Sequence, residues 1–383
     1  MKNNTKYDFD EIIDRRNTSC EKWDRYAGRD VIPMWVADMD FAAPPEVLEA
    51  LYRHIDHGVL GYPVTPPELN DEVVAMLARR YGWQIEPEWI VWLPGLVTGL
   101  NICCRAFAKE GEAVATFTPV YPPFLSAPLW SERKRITVPL QLRGDEWQMD
   151  LQLFEESITP DTRALLLCHP HNPTGRDYTS DEIRAICDNC LKHEIVICSD
   201  EIHSELILKD AEHVPAAAIS PEIADSTVTL MAPSKTYNIP GLGCSFAIAS
   251  NAQLRGQLRK TKRGIVPHVN ALGYTAALAA YRHAEPWRQE LLAYLRKNQK
   301  VVYDFVNNEL PGCRMTPVEA TYLAWIDIRE LNLDNPEGFF EAAGVGLMAG
   351  HHFGLDGYIR LNFGCPRKLL IEGLQRMKKA IIP

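Results

Sequence analysis

The sequence predicts an α/β fold: a doubly wound, mostly parallel sheet covered by helices, with a smaller α+β domain after it. Three observations predict it. Short apolar runs bounded by turn residues recur through the middle of the chain. The segments between them carry helical periodicity, and the last hundred residues change to long helices around two isolated strand-like runs.

Ala113 to Phe117 and Ile136 to Val138 are the first strands the pattern predicts. Ala164 to Cys168 is a buried-strand run stopped by His169 and Pro170. Ser180 to His193 reads as a helix with Ile183, Ile186, Cys187 and Cys190 on one face. Ile195 to Cys198 is the next strand, ending at Ser199-Asp200-Glu201. Strand, helix, strand is a βαβ unit, which requires a parallel sheet. Val228 to Met231 and Phe246 to Ala249 extend it. Glu285 to Asn307 reads as a long helix, Tyr322 to Ile328 and Gly357 to Phe363 as strands, and Lys368 to Ile381 as a final helix. The chain thus divides into an N-terminal segment, 1–45, packing with the small domain, a large domain, 46–284, and a small C-terminal domain, 285–383.

The chain has 383 residues, against ~150 for a typical domain, so its core needs no disulfide or metal staple. Its formal charge of -10 disfavours nucleic acid as a partner, because phosphate backbones call for a basic face. The densest basic run, Arg255 to Arg263, reads as a solvated helix face. No apolar stretch reaches ~18 residues, which predicts no membrane partner. Met1 to Asp14 is polar and lacks the apolar segment of a signal peptide, so a cytoplasmic protein is expected. The ten cysteines read as reduced thiols. Cys187 and Cys190 have C-x-x-C spacing but read as helix positions, and no metal ligand set is expected.

Ligands of doubly wound sheets sit beyond the carboxyl ends of the strands. Four motifs fall there. Leu93-Pro94-Gly95 runs into a helical pattern at about Leu96, and free backbone N–H groups at a helix start favour a phosphate. His169-Pro170-His171-Asn172-Pro173-Thr174-Gly175 is a rigid loop able to hold the Asn172 amide in one geometry. Asp200 follows a strand and is an acid able to face a buried cation. In Ala232-Pro233-Ser234-Lys235-Thr236, a lysine follows a strand directly, as a Schiff-base lysine would. Each motif alone reads as an ordinary turn, cap or surface charge. Together, in this order, they supply a phosphate cradle, an acid and a lysine, the set that pyridoxal 5'-phosphate requires. No G-x-G-x-x-G follows the early strands, which disfavours a dinucleotide.

His171-Asn172-Pro173-Thr174-Gly175 and Ser234-Lys235-Thr236, around Asp200, resemble the fold-type-I pyridoxal-phosphate enzymes of the class I/II aminotransferase superfamily. The resemblance implies that Lys235 carries the cofactor, Asp200 faces its ring nitrogen, Asn172 donates to its 3-oxygen and Tyr121 stacks on its ring. It makes Val97, Thr98 and Ser234 phosphate ligands. It makes Arg360, in Tyr358-Ile359-Arg360-Leu361-Asn362, the clamp on the substrate α-carboxylate, and a planar guanidinium suits that task. Tyr62 is similar to a tyrosine that reaches the neighbouring subunit's phosphate, implying a homodimer with composite sites.

Within the superfamily, Met34-Trp35-Val36-Ala37-Asp38-Met39-Asp40-Phe41 and Asp200-Glu201-Ile202-His203 look like the MalY/PatB-type cystathionine β-lyases. His203 then stands where many aminotransferases carry Tyr, and Trp35 borders the substrate. The implied reaction is an α,β-elimination from L-cystathionine or a cysteine S-conjugate to a thiol, pyruvate and ammonia. Transamination is the alternative, and a lyase with an added regulatory protein-binding role is another. Many aminotransferases carry a phosphate-binding Arg eight residues after the lysine, where this chain has Gly243.

Overall fold

The computed structural model describes residues 7–382. The first six residues of the polar N-terminal stretch, and Pro383, lie outside the described residues.

Seven strands form the main sheet: β1 (Ile90–Leu93), β2 (Ala113–Thr118), β3 (Lys134–Pro139), β4 (Thr162–Cys168), β5 (Val196–Asp200), β6 (Thr227–Met231) and β7 (Ser245–Ile248), in the spatial order β1-β7-β6-β5-β4-β2-β3. β2 pairs in parallel with β3 and β4, β4 with β5, and β5 with β6. β7 alone runs antiparallel, to both β1 and β6. The central strands read as continuous apolar runs because both faces are covered. Val114, Leu166 and Leu230 pack into one core layer, Leu165, Leu167 and Ile197 into the other.

Two departures from the expected pattern are physical. β1 leads straight into Pro94-Gly95 and a helix, and four apolar residues carry no period of their own. The direction of β7 leaves no trace in its composition. A short hairpin, Gln141–Arg143 with Glu146–Gln148, adds a detail the pattern does not predict.

The helix over Ser180–Lys192 starts with a capping box between Thr179 and Glu182, and buries Cys187 and Cys190. All ten cysteines are free thiols. The basic run lies on the helix Ala252–Lys262, whose apolar Leu254 and Leu258 face inward. Among the described residues no helix is long and apolar enough to cross a membrane.

A 25-residue helix, Glu285–Glu309, leads into a second sheet of four strands, which includes Leu323–Asp327 paired with Tyr358–Asn362. Ile32–Pro33 pairs with Val345–Gly346, and Asn362 N–H donates to Met34 O at 2.9 Å. The N-terminal segment therefore lies against the C-terminal sheet. It is also tied to the large sheet's loops: Asn238 accepts from Met39 N–H at 2.9 Å and donates to Met39 O at 2.8 Å and Phe41 O at 2.7 Å. Residues 35–41 form a strap stitched to both sheets, and Asn238, which ties it to the large sheet, stands three residues after Lys235.

Candidate active site

The strand ends converge on a cavity of about 230 Å³ lined by Val97, Thr98, Tyr121, Asn172, Asp200, His203, Ser234 and Lys235. The helix over Leu96–Phe107 begins there, with Gly95 at its N-cap and no side chain capping it. Its first-turn amides lack a side-chain acceptor, and Val97, Thr98 and Ser234 surround that end. This suits an anion.

Gly243 also lines the cavity. Its φ of +55° is left-handed, and a Cβ there would sit 2.9 Å from Pro94 O. Backbone closes the cradle where many aminotransferases carry arginine, and Lys235 is the one cation among the lining residues.

Two loops are locked together. Tyr121 N–H donates to Asn172 O at 3.0 Å. Burial pushes the His171 imidazole down to about 4, so the ring is neutral. Carbonyls only accept, so its single N–H is best used at Nε2, 2.7 Å from Pro119 O, and the 3.2 Å approach of Nδ1 to Cys168 O is a contact without a proton. Tyr121 and Asn172 are thereby fixed relative to one another.

Arg360 is 2% exposed and has no carboxylate partner among the described residues. Nη1 donates to Asn172 Oδ1 at 3.0 Å and Nη2 to Trp35 O at 2.7 Å, while Nε is buried without a partner. Burial lowers its pKa to about 10. A buried charge without a counter-ion costs several kcal/mol, which an incoming carboxylate relieves. Because Arg360 has only donors, it takes the oxygen of Asn172 and leaves that side chain's NH2 for another acceptor.

Lys235 Nζ donates to Ala37 O at 2.5 Å, and Tyr322 O–H donates to the same carbonyl at 3.0 Å. Burial brings the amine down to about 8; Asp38 works against that shift and Arg360 with it. Asp200 is buried, and Oδ1 accepts from Ile202 N–H at 3.2 Å. Burial raises its carboxyl to about 7, opposed by that N–H. A carboxyl held so far up without a cation at its side is set to receive one. His203 is pushed down to about 3 by burial, with Lys235 and Arg360 adding to the effect, and its Nδ1 is buried without a partner.

Three residues expected at the site lie apart from the cavity lining, Arg360 among them, which reaches it through Asn172. Tyr62 is fully exposed. Trp35 donates through Nε1 to Lys22 O at 3.2 Å, and Arg25 covers its ring at 4.5 Å, so it meets the site through its carbonyl on Arg360. His351 and His352 are exposed, and His352 lies 3.1 Å from Glu337.

Sequence reasoning missed the ionic base of the strap. Buried Lys22 meets Asp40 at 2.7 Å, and Arg15 meets Asp38 at 2.6 Å and Asp40 at 2.7 Å. The partners lie 18 to 25 residues apart, a separation that no short motif encodes.

The donor set fits a ligand with an anionic end, an aromatic nitrogen able to carry a proton, and an aldehyde within reach of an amine. The comparisons agree. Residues 29–377 match the family described as aminotransferase class I and II. The chain belongs to that family. It is 36% identical to cystathionine beta-lyase PatB of Bacillus subtilis (strain 168), covering 97% of this chain and 99% of PatB. Among solved structures it is similar to OvoB, with a TM-score of 0.96 at 42% identity, covering 98% of this chain and 99% of OvoB. Cystalysin from Treponema denticola, whose crystal structure contains pyridoxal 5'-phosphate, matches with a TM-score of 0.94 at 36% identity, covering 98% of each chain.

Proposed function

We propose that this protein is a pyridoxal-phosphate-dependent carbon–sulfur β-lyase, cleaving L-cystathionine or cysteine S-conjugates to a thiol, pyruvate and ammonia. One observation carries it. A buried amine and a buried acid line one cavity, and a buried guanidinium without a counter-ion is bonded to Asn172 of that lining, in a chain similar over nearly its whole length to PatB and cystalysin.

The cofactor, when bound, supplies an electron sink conjugated to the substrate's α-carbon. The Val97 and Thr98 amides with the Ser234 hydroxyl would hold its phosphate. Tyr121 would cover the ring, Asn172 would donate to the 3-oxygen, and Asp200 would hold a proton on the ring nitrogen. His203 stays neutral, so it adds no charge beside that proton. Arg360 binds the substrate carboxylate and orients the α-hydrogen. Lys235 Nζ, uncharged above about 8, removes the α-proton as general base. The β-substituent would then leave as a thiolate that takes up the proton held by Lys235, and water would convert the remaining three-carbon enamine to pyruvate and ammonia.

The purified protein is expected to release pyruvate and homocysteine from L-cystathionine with no keto-acid acceptor present. Turnover that depends on a keto acid would identify an aminotransferase instead. Arg360→Lys is expected to lower kcat/KM about 100-fold, mainly through KM, because one ammonium replaces a two-pronged contact. An unchanged KM in steady-state kinetics would remove Arg360 from carboxylate binding.

The reading extends to a cytoplasmic homodimer. Free thiols throughout fit a reducing compartment. Val59, Leu60, Tyr62 and Val64 are all more than half exposed in one short segment, an apolar surface suited to a second copy. Light scattering is expected to give twice the chain mass. Tyr62→Phe is expected to weaken cofactor binding about tenfold, through loss of a hydrogen bond to the partner's phosphate. A monomer with full affinity would refute the composite site.

A further inference from the structure

We propose that His169, Asp177 and His213 form a binding site for one divalent transition ion, Zn²⁺ being the representative. Their donor atoms, one from each residue, lie within 4.8 Å of one another, and all three side chains are buried. Neither the family match nor the proposed lyase chemistry uses them.

The proton assignments point to a ligand. His169 Nε2 lies 3.3 Å from Val214 O, which only accepts, so Nε2 carries the N–H. Its Nδ1 is then a lone pair, and it is buried without a partner. Asp177 Oδ1, also an acceptor, lies 3.8 Å from it. Asp177 is already met by His213 at 2.7 Å and by Lys209 at 3.3 Å, but neither pairs with the His169 lone pair, which is left facing an acceptor in a buried space. His213 supplies the third donor: Nδ1 lies 2.7 Å from the same Asp177 oxygen, and its outer nitrogen, Nε2, lies 3.0 Å from Glu201.

This arrangement has an outer layer of the kind that orients histidine ligands. One imidazole is held from behind by a backbone carbonyl and the other by a carboxylate, which turns both Nδ1 atoms inward. Glu201 is itself fixed, accepting from Ser199 O–H at 2.8 Å and Ala216 N–H at 3.0 Å. Ligands of a tetrahedral zinc ion at about 2.0–2.1 Å are about 3.3 Å from each other. The two Asp177–histidine separations, 2.7 and 3.8 Å, bracket that value, and with all three donor atoms within 4.8 Å an ion would draw them together. Two imidazoles and one carboxylate suit zinc or its transition-series neighbours rather than Mg²⁺ or Ca²⁺, which prefer oxygen throughout. A water completes the fourth position. Entry is available from the cleft lined by Tyr81, Lys209 and His213.

The ion would brace the two strand ends that present the cofactor ligands. His169 follows β4 and lies three residues before Asn172, and its backbone N–H donates to Asp200 O at 2.9 Å. Without an ion, the proton on His213 Nδ1 bridges to Asp177 and the cluster is a buried ion pair only.

The test uses the reduced holoenzyme, stripped with a chelator, given Zn²⁺ and desalted. About one ion per chain is expected by elemental analysis, with a rise in melting temperature. X-ray absorption should show nitrogen and oxygen neighbours at about 2.0–2.1 Å and no sulfur at about 2.3 Å. His169→Ala and Asp177→Asn, each checked for native circular dichroism, should retain less than about a tenth of the ion. The wild-type measurement stands even if a variant misfolds. Retention below about a tenth of an ion by the wild type, a sulfur shell, or unchanged retention in folded His169→Ala would each overturn the site.

Discussion

Lys235→Ala is expected to lower pyruvate release from L-cystathionine by about 10⁴-fold or more and to remove the coenzyme's visible absorbance. The size follows from what a single amine does here. General bases contribute up to about 10⁴-fold, and no other cation lines the cavity to replace this one. Loss of the covalent anchor adds to the loss of the base. Burial, opposed by Asp38 and aided by Arg360, brings the amine down to about 8. At neutral pH about a tenth of it is then uncharged, against about four in ten thousand for an ordinary lysine. The sign is fixed by that direction. Capture of the coenzyme by coenzyme-free protein should quicken as pH rises and level off above about 8. Added alkylamines restoring part of the Lys235→Ala rate would separate a missing base from a damaged fold. Turnover within tenfold of the wild type would reject Lys235 as the base.

Most of the cofactor end of this site was legible because it is built from strand ends. Each motif follows an apolar run, and in a doubly wound sheet those ends face one crevice, so Asn172, Asp200 and Lys235 meet despite being 28 and 35 residues apart in turn. Val97 and Thr98 were legible for a related reason, a Pro-Gly break directly before a helix. What stayed hidden depends on contacts that no local pattern encodes. Ala37 receives Lys235 through its backbone carbonyl, which every residue has. Lys22 looks like a surface charge until Asp40 and Asp38 are brought around it. His213 stands 36 residues from Asp177 and 12 from Glu201, and only the return of the chain after β5 places it between them. Trp35 shows the limit from the other side: the strap brings residue 35 to Arg360, but the backbone makes the contact.

Asp200→Ala is expected to lower kcat about 10³-fold while leaving the KM for L-cystathionine within about threefold. The carboxylate's proposed task is to keep a proton on the ring nitrogen, and that matters most when negative charge develops in the transition state. Arg360, proposed to hold the substrate carboxylate, is untouched, so ground-state binding should survive. Burial raises the Asp200 carboxyl to about 7, against the Ile202 N–H that favours its charged form, with Glu201 adding to the rise and Lys235 opposing it. A protonated ring nitrogen beside it reverses the balance, because an adjacent cation stabilises the ionised form. Asp200→Asn decides between charge and shape. The amide fills the same space and can still accept a hydrogen bond, but it carries no negative charge to hold the proton. Loss in Asp200→Asn similar to that in Asp200→Ala identifies the charge as the working element. Near-normal kcat in Asp200→Asn would mean that filling the space below the ring is enough, and the electron-sink role assigned to Asp200 would fall.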